Sequence, residues 1–300
     1  TEGPVVRNFT SKIGMKVNYV IPDIHDINDT FDQIIDAQDS PILSLSYIAE
    51  YLVYKKAKEI GLKVMLGGQG GDEAFMGYRK YMLYNFKQAL SQFDVKTSIK
   101  QSFYLARLLL VEYTRLNMYL KSFQRYLNIG GIKSKIKLPI EFKDTQIFED
   151  PTDLTKIQIQ DILKTSVPVQ VKSEDRSSMD NSIETRAPLL DYRVVEYGIA
   201  LPTNHKINRG VGKWIIREML QNNLPNEITN AKFKRGYDTT FNYIKSGLGE
   251  HMREMLYGYH NKIKPFLNNN KGIEQFSDQY LSSVNALQEV STLIWLGKRI

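Results

Sequence analysis

Three hundred residues with 42% apolar and 24% charged side chains have the make-up of a soluble globular chain, long enough for about two domains or one large one. The absence of cysteine excludes a disulfide framework, a thiolate zinc site and a thiol nucleophile within the chain and fits a reducing, cytoplasmic setting, while four histidines (His25, His205, His251, His260), none paired at i, i+4, argue against a histidine metal site. The net charge of +7 comes from basic residues scattered among acids, which suits a solvated basic surface or a polyphosphate site better than a nucleic-acid interface.

The N-terminus, Thr1-Glu2-Gly3-Pro4, carries no initiator methionine and no signal-peptide pattern, and reads as if it began mid-protein. Residues 1–80 alternate between α and β patterns. Lys16 to Pro22 alternates like a strand that stops at Pro22. Asn28 to Ala37 reads as a short helix. Leu45, Ile48, Ala49, Leu52 and Val53 share one face of an amphipathic helix over 44–60, with Gly61 as its stop. A strand over 63–66 follows, and this β-α-β order implies a parallel sheet, whose ligands gather at the carboxyl ends of the strands. At that end stand Gly67-Gly68-Gln69-Gly70-Gly71 and then Asp72-Glu73. Glycines let backbone N–H groups turn toward an anion, and an acid just beyond can hold the magnesium that accompanies a polyphosphate. The loop is neither a full G-x-G-x-x-G nor a P-loop, so a plain turn is an equal reading of these residues alone.

Residues 81–165 are aromatic-rich and read as a helical insertion, for example over Phe103 to Leu127, with loops at Gly130-Gly131 and Pro139. Leu105 to Val111 is too short and interrupted an apolar run to span a membrane. Lys133, Lys135 and Lys137 alternate with Ser134, Ile136 and Leu138 as an exposed, solvated basic strand would. Residues 166–300 read as helices punctuated by prolines. Pro188 and Pro202 bracket one that carries Leu189, Leu190, Val194, Val195 and Ile199; Ile215, Ile216, Met219 and Leu220 give another its apolar face; Ile273 to Ile300 ends the chain with core residues Leu281, Leu287 and Trp295.

The run Glu174 to Asp191 is dense in charge yet leads straight into an apolar segment. Charges near a core cost desolvation unless they are paired or meet a ligand. Two readings stand: an internal salt-bridge cluster, or a polar wall facing a charged substrate.

This run resembles the synthetase domain of glutamine-dependent asparagine synthetases, which carries D-R-x-S-M followed by E-x-R-x-P-F-L-D. Asp175, Arg176, Ser178, Met179, Glu184, Arg186, Pro188, Leu190 and Asp191 match, with Leu189 in place of phenylalanine. The glycine loop resembles the family's S-G-E-G-A-D-E-x-F-x-G-Y through Gly68, Gly70, Asp72, Glu73, Phe75, Gly77 and Tyr78. Gly212-Lys213 with Arg217-Glu218 resembles its G-K-x-x-x-R-E, and Lys234-Arg235-Gly236-Tyr237 its K-x-G-F. The four elements stand in family order over about residues 1–245.

The resemblance implies an α/β fold: a partial, parallel-sheet adenine nucleotide alpha hydrolase-like core over 1–80, a helical insertion over 81–165, and a mainly helical part over 166–300 that completes the active site. It implies ATP and Mg2+ as cofactors. A carboxylate such as aspartate attacks the α-phosphorus to give an acyl-AMP and pyrophosphate, and ammonia from glutamine displaces AMP. Asp72 with Glu73 falls to the metal, and Gly67, Gly68, Gly70 and Lys213 to the nucleotide and pyrophosphate. Lys234 falls to the phosphates in the transition state, and Glu184 and Gln69 to the acyl centre. Asp175, Arg176 and Arg186 are assigned to the polar wall as paired charges, and Lys213 and Arg217 suit a helix surface equally well.

Three departures matter. Gln69 stands where glutamate is usual beside the amino-acid substrate, which removes a negative charge while keeping the size. Gly67 replaces the usual serine. The S-G-G-x-D-S pyrophosphate loop and the cysteine-led glutaminase domain are not within the chain, so it is expected not to catalyse the full reaction by itself. The alternatives are the same adenylation on another carboxylate, as in β-lactam-forming relatives, and an inactive relative. Small-molecule substrates and the glutaminase domain are the expected partners, a homodimer is left open, and neither nucleic acid nor membrane is expected.

Overall fold

The computed structural model describes residues 3–42, 44–111, 136, 152–231, 243–267, 272–281 and 284–300. Helix α1, Gly3–Lys12, opens the chain. The segment expected as a strand over Lys16–Pro22 forms none. Alternation is not sufficient for a strand without a neighbour to complete the ladder, and here Ile21 stays 87% exposed while Val20 packs on the core.

Helix α2, Ile24–Gln38, starts earlier than the periodicity suggested because Asp23 and Asp26 form a reciprocal cap. The Asp23 carboxylate accepts from Asp26 N at 2.9 Å and the Asp26 carboxylate from Asp23 N at 3.2 Å. Ile27, Phe31, Ile34 and Ile35 form its buried stripe. Helix α3, Ser46–Glu59, buries Ile48, Tyr51 and Leu52. Strand β1, Val64–Leu66, follows, then the short helix α4, Gly71–Ala74, and helices α5, Arg79–Ser91, and α6, Val95–Val111. The helix expected over Phe103 to Leu127 therefore begins earlier, and its second half, with Gly130, Gly131, Pro139 and most of the basic strand, lies outside the described residues; Ile136 makes an isolated antiparallel bridge to Leu267.

Helix α7, Leu154–Gln160, passes through a π-helical turn, Asp161–Thr165, into α8, Val167–Asp180. Strand β2, Glu184–Arg186, lies parallel to β1 with Val64 opposite Glu184, Met65 opposite Thr185 and Leu66 opposite Arg186. The charged run thus contains a strand, paired with the one that enters the glycine loop. Met65 packs with Tyr54, Ala57 and Ile183, whereas Val64, Leu66, Glu184 and Arg186 share the exposed face. Between Pro188 and Pro202 a 3-10 turn, Pro188–Leu190, precedes α9, Tyr192–Ala200, whose N-cap is Asp191. Helix α10, Thr203–Lys206, leads into the hairpin β3, Ile207–Asn208, and β4, Val211–Gly212, and then α11, Trp214–Leu220, and α12, Asn226–Thr229.

The C-terminal part comprises α13, Gly249–Gly258; α14, His260–Ile263; α15, Asp278–Leu281; and α16, Val284–Arg299. The expected single helix from Ile273 is thus broken, although Leu281 and Leu287 are buried and Trp295 packs on the core as expected. The main core joins both ends of the chain: Phe31, Ile34 and Ile48 pack in one cluster with Met252, Leu256, Val290 and Leu293. Each such burial contributes roughly 1.5–3 kcal/mol of transfer free energy. A second cluster gathers Tyr81, Met82, Tyr84, Leu154, Ile157 and Ile207. Among the described residues the molecule is mostly helical with a small parallel sheet, and no helix is long and apolar enough to cross a membrane.

Candidate nucleotide site

The glycine loop begins where the β1–β2 ladder ends. Gly67 N donates to Arg186 O at 2.8 Å. Gly70, at φ +84°, turns the chain into α4 through a left-handed conformation that side chains resist. A Cβ on Gly70 would stand 2.1 Å from Leu190 Cδ2, and one on Gly71 2.8 Å from Leu189 Cδ1. The loop therefore lies directly on the leucine pair of the second run. A third run arrives from the β3–β4 hairpin: a Cβ on Gly212 would stand 2.2 Å from Met76 O, and Lys213 N donates to Phe75 O at 3.1 Å. Lys213 Nζ pairs with Asp72 Oδ1 at 3.0 Å, and Asp72 Oδ1 covers Gly77 so closely that a Cβ there would be 1.9 Å away. Three of the four sequence elements thus meet at the carboxyl ends of two parallel strands. The fourth, with Lys234, lies outside the described residues.

The adjacent acids part company. Asp72 faces Lys213. Glu73 is 1% exposed, and its Oε1 accepts from Ser166 Oγ and from Gln170 Nε2 at 3.1 Å. Burial, then the Glu73 charge, raises the Tyr78 hydroxyl pKa. Among the described residues no group of three or more His, Asp or Glu side chains is placed to hold a metal. One carboxylate at the loop does fit magnesium of the kind that arrives with a polyphosphate, which supplies most of its own oxygen ligands. Glu73 is not in that position.

Behind α4 sits a polar anchor that the sequence did not reveal. Gln158 Nε2 donates to Glu73 O at 3.0 Å and Ala74 O at 2.7 Å, and Lys206 Nζ donates to Gln158 Oε1 at 2.8 Å and Ile199 O at 3.2 Å. Lys206 is 1% exposed, and burial pulls its ammonium down to about 8. Beside it, Asp161 of the π turn accepts from Lys80 Nζ at 2.6 Å and Tyr81 Oη at 2.8 Å. Thr-Asn-His-Lys reads in sequence like any surface turn, so only the closeness of the loop marks Lys206.

A second buried group touches the loop from α8. Glu174 Oε1 accepts from Tyr54 Oη at 2.9 Å, Thr185 Oγ1 donates to Tyr54 Oη at 3.1 Å, and the same Glu174 oxygen stands 2.6 Å from where a Cβ on Gly67 would be. Burial raises the Glu174 carboxyl pKa, and burial followed by the Glu174 charge pushes Glu50 up to about 7.

The remaining candidates spread out. Glu184 and Arg186 pair with each other at 2.8 Å on the exposed face of the sheet, and the Arg186 hydrogen bond and charge hold the Glu184 carboxyl below its ordinary range. Asp175 and Arg176 occupy the exposed side of α8, while its buried side at that level is Ser173, Glu174, Ser177 and Ser178. The expected wall of paired charges is thus one pair, with Asp175 and Arg176 turned outward. Arg217 donates to Gly212 O and Thr229 O, each at 2.9 Å, which binds the hairpin to α12 rather than presenting the guanidinium to a phosphate. Asp191 caps α9 by accepting from Arg193 N at 2.9 Å, and Arg193 pulls its carboxyl down to about 2.

A family model described as asparagine synthase matches residues 1–296. "Asparagine synthetase [glutamine-hydrolyzing] 1" of Bacillus subtilis (strain 168) is 25% identical over 239 residues, which covers 73% of this chain and 37% of that protein. "Asparagine synthetase [glutamine-hydrolyzing] 3" of the same strain is 23% identical over 234 residues, 77% of this chain and 35% of that protein. The chain spans little more than a third of the length of these relatives.

Proposed function

The chain belongs to the asparagine synthase family, and we propose that it is the synthetase portion of an enzyme that forms amides at the expense of ATP. A carboxylate is adenylated with release of pyrophosphate, and ammonia then displaces AMP. The observation that carries this reading is the meeting of the glycine loop, the Leu189-Leu190 turn and Lys213 around Asp72. The β1–β2 pair would be part of an adenine nucleotide alpha hydrolase-like sheet, with the nucleotide at its carboxyl end.

In this reading the loop offers backbone to the phosphates. Gly68 is exposed, and a Cβ there would meet nothing within 4 Å, which leaves its peptide approachable. Gly67 and Gly70 shape the loop on either side. Lys213 supplies a point charge for the departing pyrophosphate, and its pairing with Asp72 holds both side chains over Gly77 before ATP arrives. Lys234 is assigned to the same charge by its motif. Asp72 would hold Mg2+ brought in with ATP, and that ion supplies neutralisation of charge on the leaving group. Glu73 keeps α4 in place from behind. Glu184 is assigned to orienting the acyl centre, with its protonation set by Arg186. Ammonia would come from a glutaminase domain elsewhere in the whole protein.

A second reading, adenylation of an acid other than aspartate, is favoured by Gln69, whose amide lacks the charge that would attract an α-ammonium. The test uses the natural full-length protein with ATP, Mg2+, glutamine or ammonium, and a panel of carboxylic acids. Pyrophosphate and AMP released in step with amide are expected with at least one acid. Turnover with aspartate selects the first reading and turnover only with another acid the second. ADP in place of AMP, or no pyrophosphate with any acid, would reject both.

A further inference from the structure

Lys206 is 1% exposed and Gln158 0%, and Lys206 Nζ donates to Gln158 Oε1 at 2.8 Å. A lysine ammonium carries donors only, so the amide beside it turns its oxygen toward the lysine and its nitrogen away. The nitrogen then meets α4. Gln158 Nε2 donates to Glu73 O at 3.0 Å and to Ala74 O at 2.7 Å. These are the last carbonyls of a helix of one turn, which has no donors of its own to give them. Gly198 of α9 presses on Ala74 O, where a Cβ would stand 2.6 Å away, and Lys206 Nζ donates to the neighbouring Ile199 O at 3.2 Å. One ammonium thus sets α7, α9 and α4 against each other. The same lysine leads into the β3–β4 hairpin. Ile207 lies opposite Gly212, so Lys206 and Lys213 stand at the open end of the ladder. Lys213 holds α4 from the front: its N donates to Phe75 O at 3.1 Å and its Nζ pairs with Asp72 at 3.0 Å. An ammonium among neutral oxygens costs more to bury than a methionine of similar length, so packing alone does not account for Lys206.

We propose that Lys206 is a positioning residue for the Asp72 carboxylate: it fixes the direction of the Gln158 amide, and Gln158 holds the carbonyl end of α4, so that the turn carrying Asp72 is set against Lys213 before a ligand arrives. Without the ammonium the amide can present its oxygen to the α4 carbonyls, acceptor faces acceptor, and the turn shifts. Lys206 and Gln158 lie behind α4 in the interior and act on the site through it. The role in turnover rests on the adenylating reading above; the hold on α4 does not.

The test compares Lys206→Met, Gln158→Met and the two together with the natural full-length protein. Native-state hydrogen exchange without ligand reads the hold on α4. The reporters are the amides of Gly77, which donates to Asp72 O at 2.7 Å, and of Lys213, which donates to Phe75 O. Each single variant should lower their protection by about tenfold or more relative to the amides of α2 and α13, which share the main core and register any global loss. Because Lys206 acts through Gln158, the double variant should lose no more than Gln158→Met does. Steady-state pyrophosphate release with an accepted acid reads the consequence. There kcat should fall about tenfold or more while KM for ATP stays within about twofold, since a misplaced Asp72 weakens the transition state more than the ground state. Unchanged protection at Gly77 and Lys213, or losses that multiply in the double variant, would overturn the hold on α4. Equal loss at the amides of α2 and α13 would show a structural role alone and overturn the positioning role, as would local loss with kcat intact. Local loss in a protein whose natural form releases no pyrophosphate with any acid would overturn the adenylating reading and the positioning role with it, and leave the hold on α4 standing. Should Lys206→Met fail to fold, Gln158→Glu supplies the same contrast: it keeps an acceptor for Lys206 and offers α4 no donor, and natural protection and kcat in that variant would overturn the proposal.

Discussion

Asp72 and Glu73 follow one another on a single helical turn, so their side chains leave the backbone about 100° apart and enter different surroundings. One faces Lys213 beside the glycine loop, and the other is sealed against Ser166 and Gln170. Asp72→Asn should therefore lower pyrophosphate release by about 10²–10³-fold, the range for removing one electrostatic contact to a developing charge, with little change in the unfolding midpoint. Glu73→Gln should do the reverse and cost roughly 1–3 kcal/mol in denaturant unfolding, because buried acceptors are lost. The two adjacent acids were legible in the sequence beside the glycine loop; their different surroundings were not, since those depend on what packs behind α4. Two buried groups add a pH dependence. Glu50 has its folded pKa raised from 4.5 to about 7, so its contribution to stability is fully present below about pH 4.5 and is lost as the pH rises through 7. Glu50→Gln should remove that slope, on the order of 2 kcal/mol, when unfolding is followed from pH 4 to 8. Lys206 runs the other way along the scale. Its folded pKa is lowered from 10.5 to about 8, so a buried charge weighs against the fold below pH 8 and the natural protein gains stability from pH 8 toward 10.5. Lys206→Met should abolish that gain, and an unchanged alkaline slope in the variant would place its origin elsewhere.

Helix α3 was legible because Leu45, Ile48 and Leu52 recur at helical spacing, although Val53 is 38% exposed and Tyr51 and Tyr54 are buried instead, and Gly61 punctuates it as expected. Strand β2 was not. Glu-Thr-Arg has no apolar alternation, and it becomes a strand only because β1, more than a hundred residues earlier, supplies its ladder. Lys16–Pro22 shows the opposite case, a convincing alternation with no partner. Helix α8 hides its role for another reason: its buried side is Ser173, Glu174, Ser177 and Ser178, so the apolar pattern that marks a core helix is absent where it approaches the loop. Close approach of elements was equally invisible, and it decides one pair of substitutions. A Cβ on Gly198 of α9 would stand 2.6 Å from Ala74 O, a backbone atom that cannot swing aside. Gly198→Ala should push α9 away from α4, cost about 1–3 kcal/mol, and reduce pyrophosphate release because α4 carries Asp72. Gly258 of α13 has nothing within 4 Å of the same position, so Gly258→Ala should stabilise by about 0.4–1 kcal/mol and leave turnover unchanged. Thermal and denaturant unfolding of the two variants side by side check both signs.

At the scale of the molecule, the main cluster ties the first sixty residues to the last sixty. Phe31, Ile34 and Ile48, with Ile42 and Leu45 from the segment between their helices, share one cluster with Leu248, Met252, Leu256, Val290 and Leu293. Polar contacts span the same distance: Lys298 Nζ reaches Asp36 at 2.8 Å, and Ser291 Oγ donates to Ile42 O at 3.0 Å in the interior. The sequence marked Leu45, Ile48 and Leu52 at α3 and Leu287 and Trp295 in α16 as facing a core, yet such patterns are local and cannot say that the two ends share one interior. The glycine loop depends on this arrangement, because α3 carries Tyr54, the partner of Glu174, on the turn after its core residues. Removing a ring from the shared interior should therefore loosen both ends together. Phe31→Ala leaves a cavity where no atom was exposed and should cost roughly 3–5 kcal/mol. In native-state hydrogen exchange the amides of α2, α3, α13 and α16 should lose protection by the same free energy, as members of one cooperative unit. Loss confined to α2 and α3, with α13 and α16 as protected as before, would show two separately stable units and refute a shared core.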